Sequence, residues 1–322
     1  MRHSDKNHNE FKKYIFTFAN KMKIRIFLTI FSLFALLLQA NACDVCGCSM
    51  GGSYIGILPQ FHKNFVGFQY SYRSFNSEHS ILGTSTKSIS QEKFQTIEMR
   101  GRFHLTSKIQ LFVFVPYSIN QQLEKNISSK INGLGDVSAI VNYNIFNSGD
   151  STTNKLKHTL LLGGGLKIPT GKFRILDQNN SLNPNLQTGS GSYDFILNAI
   201  YTVRLKKIGV NNIVLYHLNN TNTNEYQFGN KFSLNTSLFY WFNLKGYSIL
   251  PYLGINYENA KSDKHSSDIL AQSGGNTINS SFGLDFYYKK ITLGFNAQLP
   301  FYQDNLITNA NTKLNTTVIF NF

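Results

Sequence analysis

Charge is scarce in this chain. Asp, Glu, Lys and Arg make up 15% of its 322 residues, against about 25% in an ordinary soluble domain. Long apolar runs are also missing. One stretch, Ile26 to Leu38, is almost wholly apolar, yet it falls short of the roughly 20 residues a membrane-spanning helix needs, and no later segment comes closer. A helical membrane protein is therefore excluded. Cysteine occurs three times, always between Cys43 and Cys48, which rules out a scaffold stapled by disulfides spread along the chain. Acidic residues number 17 against 31 basic ones. Beyond residue 42 the balance is 24 basic to 15 acidic, a net charge of +9. The basic residues are scattered through turns and loops with no stripe, so the charge footprint of a nucleic-acid binder is absent.

What is abundant is aromatic side chains, 14% of the chain, together with Gly, Asn, Ser and Thr. They are arranged with a period of two. Runs of alternation bounded by turn residues predict strands over 64–75, 94–105, 109–119, 135–146, 157–170, 192–205, 208–218, 231–242, 247–260, 277–288, 291–300 and 312–322. Most reach the roughly 9–11 residues that cross a bilayer at a tilt. The expected fold is all-β: a transmembrane, antiparallel, up-and-down β-barrel of 12 strands. A secreted β-sandwich is the soluble alternative.

The two faces of each run differ. In the second, Ile97, Met99, Gly101, Phe103 and Leu105 are expected to face lipid, and Glu98, Arg100, Arg102 and His104 the lumen. In the sixth, Phe195, Leu197, Ala199, Tyr201 and Val203 alternate with Asp194, Asn198, Thr202 and Arg204. The tenth sets Ile278, Phe282, Leu284 and Phe286 against Asn279, Ser281, Asp285 and Tyr287. A lipid-facing Arg costs about 2–4 kcal/mol at mid-membrane, so the charged set must point inward. Twelve strands exceed the number that side chains fill completely. The lumen should hold a narrow passage or a plugged cavity. Its solute pathway is expected to be lined by Glu98, Arg100, Arg102, His104, Asp136, Lys167, Asp194, Arg204, Glu258 and Asp285. These charges can equally pair with one another and stabilise the interior.

Connection lengths alternate. The turns 106–108, 206–207, 243–246 and 289–290 are tight, and 76–93, 120–134, 171–191, 219–230, 261–276 and 301–311 are long and polar. Ten residues at 147–156 break the trend. Short periplasmic turns and long external loops are the pattern of outer-membrane barrels. It predicts the outer membrane of a Gram-negative bacterium as location, both termini in the periplasm, and loops that meet anionic lipopolysaccharide.

Residues 1–42 read as an upstream extension and signal peptide, with Met22 as the expected start. Lys21, Lys23 and Arg25 precede the apolar run, and Ala40-Asn41-Ala42 supplies a cleavage pattern. Residues 43–63 form a Cys-rich segment that could plug the lumen, ahead of a barrel over 64–322. In Cys43-Asp44-Val45-Cys46-Gly47-Cys48-Ser49-Met50 the clustered thiols and thioether are soft ligands. Cys43, Cys46, Cys48 and Met50 would favour copper or another soft metal. A disulfide with one leftover thiol is a second reading, and lipidation of Cys43 a third. Ala40 stands where a lipidation signal usually carries Leu.

Three stretches carry resemblances. The last strand sets Leu314, Thr316, Val318, Phe320 and Phe322 on one face and resembles the assembly signal of outer-membrane barrels. That implies the barrel assembly machinery as a partner, besides outer-membrane lipid. Gly133-Leu134-Gly135-Asp136 followed by Gly163-Gly164-Gly165-Leu166-Lys167-Ile168-Pro169-Thr170-Gly171-Lys172 resembles the outer-membrane barrel family named for the meta pathway of phenol degradation. That family is similar to the long-chain fatty-acid and aromatic-hydrocarbon transporters, whose N-terminal plug would correspond to residues 43–63. The core of the match covers about 130–175. The apparent nucleotide loop within it is illusory, because five residues separate Gly165 from Gly171 and Phe173 replaces the magnesium-binding hydroxyl.

No catalytic constellation emerges. His62, His79, His104, His158, His217 and His265 fall on different strands and loops. The expected function is non-enzymatic: a channel or transporter passing a small solute by diffusion through a gated lumen. The alternative is a non-transporting barrel that anchors the cysteine cluster as a metal or redox site.

Overall fold

The computed structural model describes residues 63–80, 87–124, 127–148, 156–173, 176–177, 180–181, 184–270, 273–304 and 308–322. Twelve antiparallel strands close into one barrel. They are β1 (Phe65–Ser80), β2 (Lys87–His104), β3 (Ile109–Glu124), β4 (Val137–Asn147), β5 (Leu156–Ile168), β6 (Asp194–Leu205), β7 (Ile208–Leu218), β8 (Lys231–Tyr240), β9 (Tyr247–Ala260), β10 (Gly275–Tyr288), β11 (Ile291–Asp304) and β12 (Lys313–Asn321). Each pairs with the next in sequence. The ring closes where β12 returns to β1, from Phe65 opposite Asn321 to Tyr72 opposite Leu314. The all-β up-and-down barrel expected from the alternation is the observed fold.

The pleat explains how these sequences make these walls. Successive side chains point to opposite faces. Along β6, Asp194, Ile196, Asn198 and Ile200 are buried while Phe195 and Leu197 are exposed. Along β12, Lys313, Asn315, Thr317 and Ile319 are buried, and Leu314, Thr316 and Phe320 are exposed. The exposed set is apolar almost throughout: Phe68, Ile97, Met99, Val141, Leu162, Leu253, Phe282 and Phe295 among others. An aqueous surface of this kind would be an aggregation liability; in lipid it is a solvent-matched face.

Three predicted loops are largely strand. Asn76 to Ser80 continues β1 against Lys87 to Gln91 of β2. Ile127–Leu134 pairs with Tyr117 to Glu124 of β3, and Thr308–Ala310 pairs with Phe75 to Ser77 of β1. Outside the apolar band both faces of a wall meet water, so the alternation that marks a strand disappears from the sequence. The short turns are as expected. Lys206 and Lys289, the first residues of the two-residue turns, have φ of 54° and 50°, the positive values tight hairpins require.

Candidate functional site: a loop packed on the inner wall of the barrel

The chain leaves β5 through Lys167-Ile168-Pro169-Thr170-Gly171 and re-enters the wall at Asp194. The intervening loop is tied down at both ends. Thr170 Oγ1 accepts from the Val137 N–H at 2.9 Å and donates to the Gly135 carbonyl at 2.7 Å. The Asp136 carboxylate accepts three hydrogen bonds from the loop. They come from the Gly171 N–H at 3.0 Å, the Ser190 N–H at 2.7 Å and the Ser190 hydroxyl at 2.8 Å. Lys167 stands 3.5 Å from Asp136, donates to Ser190 Oγ at 2.8 Å and pairs with Asp194. Glycine is needed here for space. A Cβ on Gly171 would lie 2.6 Å from the Gly189 Cα, and one on Gly189 would lie 2.6 Å from Asp136 Oδ1.

From this anchor the loop packs onto the inward face of the adjoining wall, β1 to β3. Pro184–Leu186 forms one 3-10 turn. Leu186 is 1% exposed and packs against Phe75 of β1 and Phe94 of β2. Both rings lie on the inward face and meet edge to face, 5.6 Å between centroids. The Asn120 side-chain amide of β3 donates to the carbonyls of Leu186 at 2.9 Å and Gln187 at 3.3 Å. Residues 184–190 of the long loop predicted over 171–191 therefore pack against inward-facing side chains of the wall. Burying one Leu side chain in this way is worth about 1.5–3 kcal/mol.

The charged residues predicted for the lumen are inward, and the structure gives them neighbours. Glu98 and Arg100 pair within β2. Arg102 donates to the Lys63 carbonyl at 2.7 Å and lies over the Phe65 ring at 5.0 Å. His104 is half-buried and donates its backbone N–H to Asn64 Oδ1 at 2.8 Å. Lys231 and Glu258 pair across β8 and β9 at 2.9 Å. Asp285 accepts from the Tyr287 hydroxyl at 3.2 Å. Arg204 is half-buried beneath the short-turn rim, 4.6 Å from the Trp241 ring. Arg100, Arg102, His104 and Lys167 thus sit in separate local settings.

Beside the lumen lies a loop sheet, Tyr226–Gln227 with Asp263–His265 and Asp268–Leu270. Its buried carboxylate, Asp263, accepts from the Tyr226 hydroxyl at 2.6 Å and the Gly229 N–H at 2.8 Å. Burial raises the Asp263 pKa above its ordinary 3.8, outweighing those two donors.

Sequence reasoning missed the apolar share of the interior. Phe65, Phe112, Phe114, Ile140, Leu161, Ile196, Ile200, Ile213, Leu215 and Ile319 form one buried cluster drawn from seven strands. A signal existed. Leu111-Phe112-Val113-Phe114-Val115 is a continuous apolar run, which is what a strand buried on both faces looks like. Cys43, Cys46, Cys48 and Met50, with the rest of 43–62, lie outside the described residues.

No protein-family profile and no curated protein matches the chain. Among solved structures, an outer-membrane channel from Pseudomonas putida F1 superposes with a TM-score of 0.59, at 15% identity over 85% of this chain and all of that one. The likeness is one of fold, a closed antiparallel β-barrel. The translocator domain of the autotransporter NalP from Neisseria meningitidis gives 0.42 at 8% identity, covering 82% of this chain and 90% of that domain.

Proposed function

We propose that this barrel is a channel of the Gram-negative outer membrane and passes a small solute by diffusion through a gated lumen. The observation that carries the reading is the loop joining β5 to β6. It is anchored on Asp136 and Lys167 and packed by Leu186 onto Phe75 and Phe94 inside a ring with polar and charged inward residues. A folded-in loop narrows a lumen without filling it from the wall. A few hydrogen bonds and one apolar contact hold it, a strength that thermal motion and a passing solute can overcome. Both termini and the short turns would lie in the periplasm, the long loops outside. The motifs around Gly133–Asp136 and Gly163–Lys172, which resemble the meta-pathway barrel family, supply this loop's two anchors. The P. putida neighbour, itself an outer-membrane channel, supports the reading. The reading assigns no catalytic step to any residue.

The test is reconstitution of refolded protein in planar lipid bilayers. Discrete conductance steps are expected. A protein that is heat-modifiable on detergent gels, and so folded as a barrel, yet never conducts would refute the channel.

A further inference from the structure

One row of inward side chains gathers more open polar atoms than any other stretch of the described wall. Across β3, β4, β5 and β6 the register aligns Gln110, Asn142, Gly163 and Asn198. Gln110 is 2% exposed, Asn142 0% and Asn198 6%. Among the described residues, Gln110 Oε1 and both amide atoms of Asn142 and of Asn198 find no hydrogen-bond partner. Buried polar groups are almost always satisfied, and leaving five such atoms open is costly. Gly163 brings the two asparagines together. A Cβ there would lie 2.2 Å from Asn142 Oδ1 and 2.4 Å from Asn198 Oδ1.

The other side of the ring shows how such amides behave when they serve only the wall. There Ser71 donates to Asn315 Oδ1 at 2.7 Å, Asn315 donates to Asn296 Oδ1 at 3.2 Å, and Thr317 donates to Gln69 Oε1 at 3.2 Å. That row closes on itself; the row on β3–β6 is open. No Asp, Glu, Lys or Arg belongs to it, and His104 is the β2 partner of Gln110. Its same-face neighbours are mostly apolar, namely Phe112, Ile140, Leu161, Ile196 and Ile200, with Asn144 following Asn142.

Building on the channel reading, we infer that Gln110, Asn142 and Asn198 form a binding site for an uncharged, hydroxyl-bearing solute. A hydroxyl both donates and accepts, so it matches amides that offer both. An ion would leave its hydration shell for a site of neutral amides with no carboxylate in the row and mostly apolar flanks, which is unfavourable. The site therefore selects neutral polyols over ions at this point of the pathway.

Xylitol is the probe. Swelling of proteoliposomes in xylitol is compared with single-channel conductance in potassium chloride, for the native barrel and for Asn142→Val with Asn198→Val. The double variant should slow xylitol entry at low concentration at least fivefold and abolish its saturation, while conductance changes by less than twofold. Asn198→Ser, which restores a donor and acceptor, should recover most of the flux. If the double variant does not fold, Asn142→Ala, which adds no bulk, should still slow xylitol severalfold. Unchanged xylitol flux in folded variants of a conducting barrel would overturn the site and leave the channel reading standing. A folded native barrel that passes neither ions nor xylitol would overturn both.

Discussion

Asp136 and Ser190, 54 positions apart, share two hydrogen bonds: the Ser190 N–H and its hydroxyl both donate to Asp136 Oδ2. With the Gly171 N–H on the other oxygen, a single carboxylate holds both ends of the loop that packs on the inner wall. Lys167 neutralises it from within the same wall. The two motifs that carry the family resemblance meet at this point.

Loosening this latch should change gating before it changes the barrel. Ser190→Ala removes the hydroxyl's hydrogen bond to the Asp136 carboxylate, about 1.5–3 kcal/mol, together with the one it accepts from Lys167. Asp136→Asn replaces an acceptor pair by one acceptor and a donor facing Ser190 Nα–H or the Gly171 N–H. Both variants should give larger or more frequent current fluctuations in bilayers, with gel migration of the unboiled protein unchanged. Traces identical to the native protein would remove Asp136 and Ser190 from gating.

The glycine run in β5 makes a sharper structural prediction. A Cβ on Gly165 would lie 2.3 Å from the Ala139 carbonyl and 2.9 Å from the Ile140 Cα, both backbone; at Gly164 the nearest atom is 3.7 Å away. Gly165→Ala should destabilise by about 1–3 kcal/mol, the cost of overpacking, and Gly164→Ala should be close to neutral. Urea refolding midpoints in detergent micelles decide it. Equal midpoints would contradict the close approach.

The loop sheet around Asp263 should respond to pH. Its folded-state pKa is raised by burial, so folding disfavours the carboxylate. The penalty is absent below the unfolded value near 3.8 and grows as pH rises through the raised folded value. Amide exchange across Tyr226–Gln227 and Asp263–His265 should therefore show better protection at the acid end of that window. Protection that improves with rising pH would mean that the Tyr226 and Gly229 donors outweigh burial.

The cysteine segment is tested chemically. If Cys43, Cys46 and Cys48 hold a soft metal, anaerobically purified protein should carry copper in stoichiometric amount, and Cys46→Ser with Cys48→Ser should lose it. Equal metal in both proteins would exclude the site, and a lipid adduct on Cys43 would favour the anchor reading.

The wall was legible because a membrane imposes one rule on every strand. Leu197 beside Asn198, or Phe282 beside Ser281, can face only one way. The rule lapses in two places. Beyond the apolar band both faces are polar, so the extension of β1 past Phe75 read as loop. Inside the barrel apolar residues are also tolerated, so Ile196 and Ile200 look like lipid-facing residues out of step. The contact of Leu186 with Phe75 and Phe94 was not legible at all. It joins positions about 90 to 110 apart in sequence through a loop whose composition is that of any solvated turn. The Asp136 and Lys167 charges were expected to line a pathway; Lys167 pairs with Asp194, its partner across β5 and β6, while the contacts of both with Ser190 depend on where that loop packs.

In the proposed channel this loop, and not the wall, sets the width of the passage. Replacing residues 174–187 by a short Gly-Ser linker removes Leu186 and leaves Asp136, Lys167 and Ser190 in place. Single-channel conductance of this variant in potassium chloride should rise at least twofold over the native barrel. Unchanged conductance, in a variant that remains heat-modifiable and β-rich by circular dichroism, would contradict the account.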